Sequence, residues 1–345
     1  TVRFLGQDPW AVRFTGAVVG TLTLPLFFFL VRRLFDPLTA VISVVLLALN
    51  PWHIIMSRIA YRLILTIPVL LLAVYAYDNW RRGQRTTWLL LSSCCIGVGF
   101  YTYTTFRFAP LIILGFWLGG LYSREARNAK IENRRSLKQS VKPMILFLLL
   151  CFLFATPMLN YARDHKTDFN RRWLQVSSFH QPEPLKTVVK TTLKTCLMVN
   201  FKGCFYKKYN VPDQPVLPHA LSLFFPLGLI VVIRSSRKDP GMILLLAWLF
   251  FGFLPGMITW PARWFSRPIL ALPAIMIITA VGVKRFAESL SGIQLYAGFR
   301  RLVPVVVSLV VILLTAWAYH SIFSEWASVI KPIEKSGAIM VCHIE

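Results

Sequence analysis

The sequence predicts an all-α fold, a polytopic transmembrane bundle with one long extracytoplasmic loop that carries an interfacial helix. Three observations predict it. Of the 345 residues, 56% are hydrophobic and 15% charged, and the mean hydropathy is +0.59, far too apolar for a soluble domain of ordinary composition. The apolar residues come in runs of about 16–22, the length a helix needs to cross a bilayer. Those runs are continuous rather than alternating, which excludes a barrel and leaves helices to satisfy the backbone in lipid.

Taken in order, about ten spans are expected, near 11–31, 38–56, 61–78, 87–105, 108–122, 143–158, 218–233, 241–257, 268–283 and 302–319. The second is the weakest, because Asn50-Pro51 ends its apolar run early. Basic residues orient the bundle. Alternate loops carry Arg32-Arg33, then Arg81, Arg82 and Arg85, then a cluster from Arg124 to Lys142, then Arg234, Arg237 and Lys238, then Lys284, Arg285, Arg300 and Arg301. These five loops are assigned to the cytoplasm and the others, with both termini, to the outside. The net charge of +24 is thereby absorbed by topology, and no nucleic-acid partner is expected.

The chain divides into an N-terminal transmembrane part (1–158), an extracytoplasmic loop (159–217) and a C-terminal transmembrane part (218–345). Within the loop, Pro184 to Phe201 reads as a helix. Leu185, Val188, Val189, Leu193 and Leu197 share one side, and Lys186, Lys190 and Lys194 recur every four residues on another. The pattern fits a helix lying on the membrane surface, or an amphipathic helix packed on the protein's own core. Cys94, Cys95 and Cys151 fall in spans; Cys196 and Cys204 share the outside loop, where pairing and free thiols both remain open. Cys342 has no evident partner, and no metal-ligand spacing occurs. The chain opens at Thr1 with no leader before Trp10, and reads as an internal piece of a longer protein.

The positive-inside rule leaves one group of residues unexplained. Arg58, Arg62, Arg107, Arg263 and Arg267 sit at span ends on the outer side, where topology does not call for arginine. Arg58 and Arg62 are four apart and would share a helical face, so two guanidinium forks would clamp one phosphate. Arg263 and Arg267 repeat that spacing, although Pro268 disfavours helical geometry at Arg267. Tyr101, Tyr103 and their neighbouring threonines crowd hydroxyls beside Arg107, which suits a sugar or phosphate pocket as well as an interfacial belt. Tyr61 and His53 are further candidates for the sugar, and Trp260 and Trp264 would stack on it or anchor their loop. The outside acidic residues are Asp8, Asp164, Asp168, Glu183, Asp213, Glu325, Glu334 and Glu345, none close in sequence to either arginine pair. No nucleotide-binding glycine loop, zincin helix or serine elbow is present.

Several stretches, in this order, resemble the polytopic GT-C glycosyltransferases, in the branch of dolichyl-phosphate-mannose protein mannosyltransferases and bacterial aminoarabinose transferases. Phe4 to Arg13 looks like the end of that family's first outer loop, and Gly16 to Arg33 like the span after it. Asn50-Pro51-Trp52-His53 with Ser57-Arg58, Gly99 to Arg107, and Ser266-Arg267-Pro268 with Leu272-Pro273 resemble further family segments. The resemblance covers nearly the whole chain. It implies transfer of a sugar from a polyprenyl-phosphate donor to a glycan, lipid or protein acceptor at the outer face of a membrane, expected to be a prokaryotic plasma membrane. It implies membrane lipid and the lipid-linked donor as partners, with a divalent metal as an open possibility. The family's catalytic acidic residue lies just upstream of Thr1, so no catalytic residue is expected within this chain and the chain by itself is expected to lack that base. The alternatives are a transporter or flippase of lipid-linked sugars, which would want the same phosphate-reading arginines, and a scaffold, which would leave them idle.

Overall fold

A computed structural model describes residues 9–59, 61–122, 133–206, 210–236 and 239–291, with scattered helical positions between 305 and 324. Among these residues all the regular secondary structure is helical, apart from a lone antiparallel bridge between Ser177 and Thr259. Helix α1 (Pro9–Leu34) tolerates Pro25 in its interior. Helices α2 (Pro37–Ala48) and α3 (Pro51–Arg58) together occupy the expected second span, but they bend by 54° at the break between them. The cause is local: Pro51 brings no N–H and starts a new helix, and Asn50 caps it by accepting from the Trp52 N–H at 3.0 Å.

A 3₁₀ turn (Arg62–Leu65) then leads into α4 (Thr66–Gly83), and α5 (Thr86–Gly99) follows. A second 3₁₀ turn (Thr104–Phe108) precedes α6 (Ala109–Tyr122). Helix α7 (Asn133–Asp164) overruns its expected 143–158 at both ends. The expected outside loop is largely helical too, as α8 (Lys166–Val176) and α9 (Pro184–Leu197). Three helices complete the bundle: α10 (Phe224–Ser235), α11 (Pro240–Met257) and, after a 3₁₀ turn (Pro268–Ala271), α12 (Leu272–Ser291). Five of the described helices are long and apolar enough to cross a membrane, six if α2 and α3 count as one bent span. The apolar stretches at α5, α6 and α10 are shorter. The span expected at 302–319 lies outside the described residues except for isolated helical positions.

Helix α12 is the most enclosed of the candidate spans, with 83% of its apolar window buried. It meets α10 backbone to backbone. A Cβ on Gly228 would lie 1.9 Å from the Ile278 carbonyl oxygen, and one on Gly282 would lie 1.9 Å from that of Phe224. Small residues at such a crossing let dispersion and weak backbone contacts act where lipid offers no hydrophobic drive. Helix α12 also packs on α2, and Lys284 closes that contact with a 2.9 Å ion pair to Asp36.

At the same end of the bundle, Asp78 is fully buried and takes three arginines: Arg33 at 2.9 Å, Arg82 at 2.8 Å and Arg81 at 3.1 Å. These basic residues, which the charge pattern explains by topology alone, therefore also tie the C-terminal ends of α1 and α4. Removing the carboxylate would leave the three cations without their shared counter-ion, and losing one partner of such a buried pair costs on the order of 3 kcal/mol. Asp78→Asn is expected to lower the thermal midpoint of the detergent-solubilised protein by several degrees. Gly282→Val is expected to do at least as much by forcing α10 off α12. Melting curves of the two variants check both.

Candidate functional site

The end of the bundle that the charge pattern assigns to the outside is built from helix breaks, and each break finds its partners within the chain. Asn50 donates its amide to the Val216 carbonyl at 2.9 Å, tying the α2–α3 break to the segment before α10. At the end of α5, Thr102 returns its hydroxyl to the Gly99 carbonyl at 2.6 Å. Gly99 leaves room for the Phe106 ring, whose Cε1 lies 2.0 Å from where a Cβ would stand. That contact folds residues 100–108 over the helix end and points Tyr103 inward. Beyond α11, Trp260 N–H donates to Val176 at 2.6 Å and Ser178 N–H to Ile258 at 2.9 Å, fastening the segment after α11 to the end of α8.

Residues 103–108, the end of α8 and the stretch from the last turn of α11 to Arg267 line a cavity of about 250 Å³. One part of its lining is polar: Tyr103, Thr104, Thr105, Thr259 and Ser266 bring hydroxyls, and Arg107 and Arg267 bring charge. The other part is apolar, from Phe108, Trp173, Val176, Pro255 and Ile258, with Trp264 beside them. Tyr103 donates to the Ser266 hydroxyl at 3.1 Å, joining chain positions 163 residues apart. Arg267 is buried, and its two terminal nitrogens donate to the carbonyls of Pro261 and Trp260 at 2.6 and 3.0 Å. It lies 5.9 Å from the Trp264 ring centroid. A second recess of about 340 Å³ shares Val176, Trp264 and Arg267 with the first and adds Gln175, Trp260 and Pro261. Chemically, the cavity's lining combines cationic and hydroxyl donors with apolar surface, which suits an anion carried on an apolar tail. Its lining residues include no carboxylate, so none of them offers an obvious general base.

Of the residues singled out in the sequence, Tyr103, Arg107, Trp264 and Arg267 come together around the cavity, and Trp260 lines the second recess. Tyr61 stands behind Tyr103 with its ring edge-on at 5.7 Å. The rest are placed elsewhere. Arg58 closes α3 while Arg62 opens the next 3₁₀ turn, so the helical face expected to present both is not formed. Tyr101 is half exposed and donates to the Phe154 carbonyl of α7 at 3.0 Å. His53 does not line the outer cavity expected for it; it is buried against α1, its Nε2 3.2 Å from the Gly20 carbonyl, where Gly20 makes room for Ser57. Arg267 adopts α-region backbone despite Pro268, because the proline begins a 3₁₀ turn rather than continuing extended chain. Arg263 does not pair with it on a helix. Its φ of 62° is left-handed, and it turns to Asp213, itself at φ 64°. The lining from α8, Trp173 and Val176, gave no signal in the sequence, since nothing in a polar loop of that composition distinguishes two wall residues. Among the described residues no group of three His, Cys, Asp or Glu side chains is placed to hold a metal.

Residues 1–161 match the model of the dolichyl-phosphate-mannose-protein mannosyltransferase family. Among solved structures, ArnT from Cupriavidus metallidurans bound to undecaprenyl phosphate aligns over 98% of this chain and 65% of its own, at 13% identity and a TM-score of 0.56. The chain has the GT-C fold, that of polytopic membrane glycosyltransferases. The oligosaccharyltransferase of Archaeoglobus fulgidus in its apo form shares this GT-C arrangement over 91% of the chain and 45% of its own, at 14% identity and a TM-score of 0.53. The same enzyme tethered to an acceptor peptide containing the NVT sequon aligns over 91% and 44%, at 15% identity and a TM-score of 0.51. The chain thus spans less than two thirds of the length of each of these GT-C proteins. No curated protein gives a significant sequence match.

The segment around the cavity also carries two thiols. Cys196 and Cys204 are both free, Cys196 exposed on α9 and Cys204 fully buried. Burial pushes the Cys204 thiol up from its ordinary value, with hydrogen bonds and Arg263 opposing, so at neutral pH it stays protonated and slow to react. The Asp213 N–H donates to the Cys204 carbonyl at 3.0 Å, and Arg263 holds Asp213. Arg263→Ala is therefore expected to loosen this segment and raise maleimide labelling of Cys204 severalfold, with Cys196 unchanged as an internal reference. Peptide mapping of labelled protein measures both.

Proposed function

We propose that this chain is the membrane core of a glycosyltransferase that takes a sugar from a polyprenyl-phosphate-linked donor and hands it to an acceptor at the extracytoplasmic face of the membrane. The observation that carries this reading is the convergence of Arg107 and Arg267 on one cavity whose lining also supplies hydroxyls and apolar side chains. A phosphodiester between a sugar and a polyprenyl chain needs those three surfaces: guanidinium forks for the phosphate, hydroxyls for the sugar, and an apolar path for the lipid. The likeness to an ArnT structure bound to undecaprenyl phosphate adds support from the fold.

Arg267 and Arg107 are assigned to the donor phosphate. Arg267 is pre-positioned, since two of its donors are already satisfied by the carbonyls of Trp260 and Pro261 and its side chain has little rotamer freedom left to lose on binding. Tyr103, Ser266 and Thr105 are assigned to the sugar. The hydroxyl of Thr105 is buried with no hydrogen-bond partner, which leaves a donor for a ligand to use. Arg263 is assigned a positioning role through Asp213, and Tyr61 one through Tyr103. Arg58, Arg62, Tyr101 and His53 are not carried forward as ligands. The second reading, a transporter or flippase of lipid-linked sugars, is kept because the lining offers no carboxylate.

Titration of undecaprenyl-phosphate sugar into detergent-solubilised protein tests the assignment. Arg107→Ala and Arg267→Ala are each expected to weaken binding roughly tenfold, about 1.4 kcal/mol, the effect of removing one charge-assisted hydrogen bond to the phosphate. Arg58→Ala is expected to bind like wild type. Equal affinity across all four proteins, with unchanged melting curves, would overturn the donor-site reading. Sugar transfer to an acceptor, measured against facilitated movement of the donor across vesicles, separates enzyme from flippase.

A further inference from the structure

Helix α9 has two faces that serve different neighbours. Thr191 and Thr195 are buried: Thr191 donates its hydroxyl to the Met257 carbonyl, and Thr195 lies against Gly256. Both contacts fall in the last turn of α11. On the opposite side, Leu185, Val189, Leu193, Leu197 and Phe201 follow one another every four residues, and all five are exposed, from 47% at Leu197 to 84% at Leu185. Lys186, Lys190 and Lys194 keep the same period one residue on, hence about 100° around the helix. Lys186 pairs with Glu183 at 2.7 Å. The protein's own core thus takes the threonine face and leaves the leucine face unpartnered among the described residues.

The depth of the helix is fixed at its middle and beyond its C-terminus. Toward its C-terminus the Asn200 amide donates to the Ser222 carbonyl at 3.1 Å, and Leu223, at the head of the apolar helix α10, is 79% exposed. The helix thus ends against the head of a shorter apolar helix. Its middle rests on the last turn of α11. A helix pinned across the ends of two apolar helices lies at the boundary between hydrocarbon and headgroups, where an apolar stripe flanked by lysines is most at home. A protein partner fits worse, because lysine is depleted at the centre of protein interfaces.

From this placement we infer that α9 is a membrane-docking surface: its leucine stripe sits among acyl chains, and Lys186, Lys190 and Lys194 contact the phosphates of anionic lipid. The inference does not depend on the catalytic reading. It predicts that reconstitution into vesicles buries the stripe in lipid, and that a negative surface strengthens the contact.

The test uses the full chain carrying Cys196→Ser, to clear α9 of thiols, with Leu193→Cys labelled by an environment-sensitive fluorophore. The Cys196→Ser chain alone supplies the background from the other cysteines. In vesicles of phosphatidylcholine doped with phosphatidylglycerol, lipids bearing a nitroxide near the headgroup should quench the label and aqueous iodide should not. Replacing Lys186, Lys190 and Lys194 by Glu should reduce lipid quenching at least about twofold in anionic vesicles and little in neutral ones. Val189→Cys, labelled likewise, repeats the measurement should the Leu193 variant fold poorly. Quenching by iodide but not by lipid would place the face in water and overturn the proposal. Protection from both would mean that protein, a second copy or another segment, covers it, and would overturn it equally.

Discussion

In an apolar bundle, a break in a helix exposes backbone groups that water cannot serve, and the arrangement of this protein is largely an answer to that constraint. Asn50 answers it twice, capping α3 with its oxygen and reaching Val216 with its amide. Thr102 serves the last turn of α5, and Thr191 that of α11. Arg267 serves the carbonyls of Trp260 and Pro261. Each of these groups belongs to one break and is supplied from within it or from another, so the segments at this end cannot be moved singly. The cavity is the space that such mutual servicing leaves.

The segment after α11 shows how far this goes. Arg263 and Asp213 are both left-handed non-glycine residues, a conformation that costs on the order of 1 kcal/mol or more apiece, less for aspartate. Their ion pair, the Arg263 guanidinium 5.9 Å from the Phe205 ring centroid, and the packing of Trp264 on Tyr206 hold that conformation. Strain of this kind persists where surrounding contacts over-determine it, and here it fixes the turn from which Arg267 enters the cavity. Charge is divided between two jobs. Arg33, Arg81 and Arg82 are consumed by Asp78 at one end of the bundle, whereas Arg107 and Arg267 face a cavity at the other.

Much of the architecture was legible because lipid makes sequence speak plainly. Span positions followed from apolar runs, and the break at Asn50-Pro51 was visible as a weakness in the second span. The amphipathic character of α9 was equally clear, though which of its faces the protein claims was settled by Thr191 and Thr195, two residues that polarity alone would send outward. The arginine pairs show the limit. Spacing of four implies a shared face when a helix runs through both residues, and neither pair has one: α3 stops at Arg58, and Arg263 sits in a left-handed turn. Tyr103, Arg107 and Arg267 could be named individually, but nothing in the sequence showed that they meet, since Tyr103 and Ser266 touch across 163 positions. Asp78 was invisible for the opposite reason: a single acid at a basic span end looks incidental until three guanidiniums converge on it.

That long reach has a consequence for biogenesis. The two arginines that line the cavity are synthesised at different times, Arg107 before α6 and Arg267 only after α11. Until the segment after α11 is in place, Tyr103 and Arg107 stand without Ser266 and Arg267 opposite them. A product that stalls before α11 would thus carry only part of the cavity's lining, so the cavity forms late, whatever it holds.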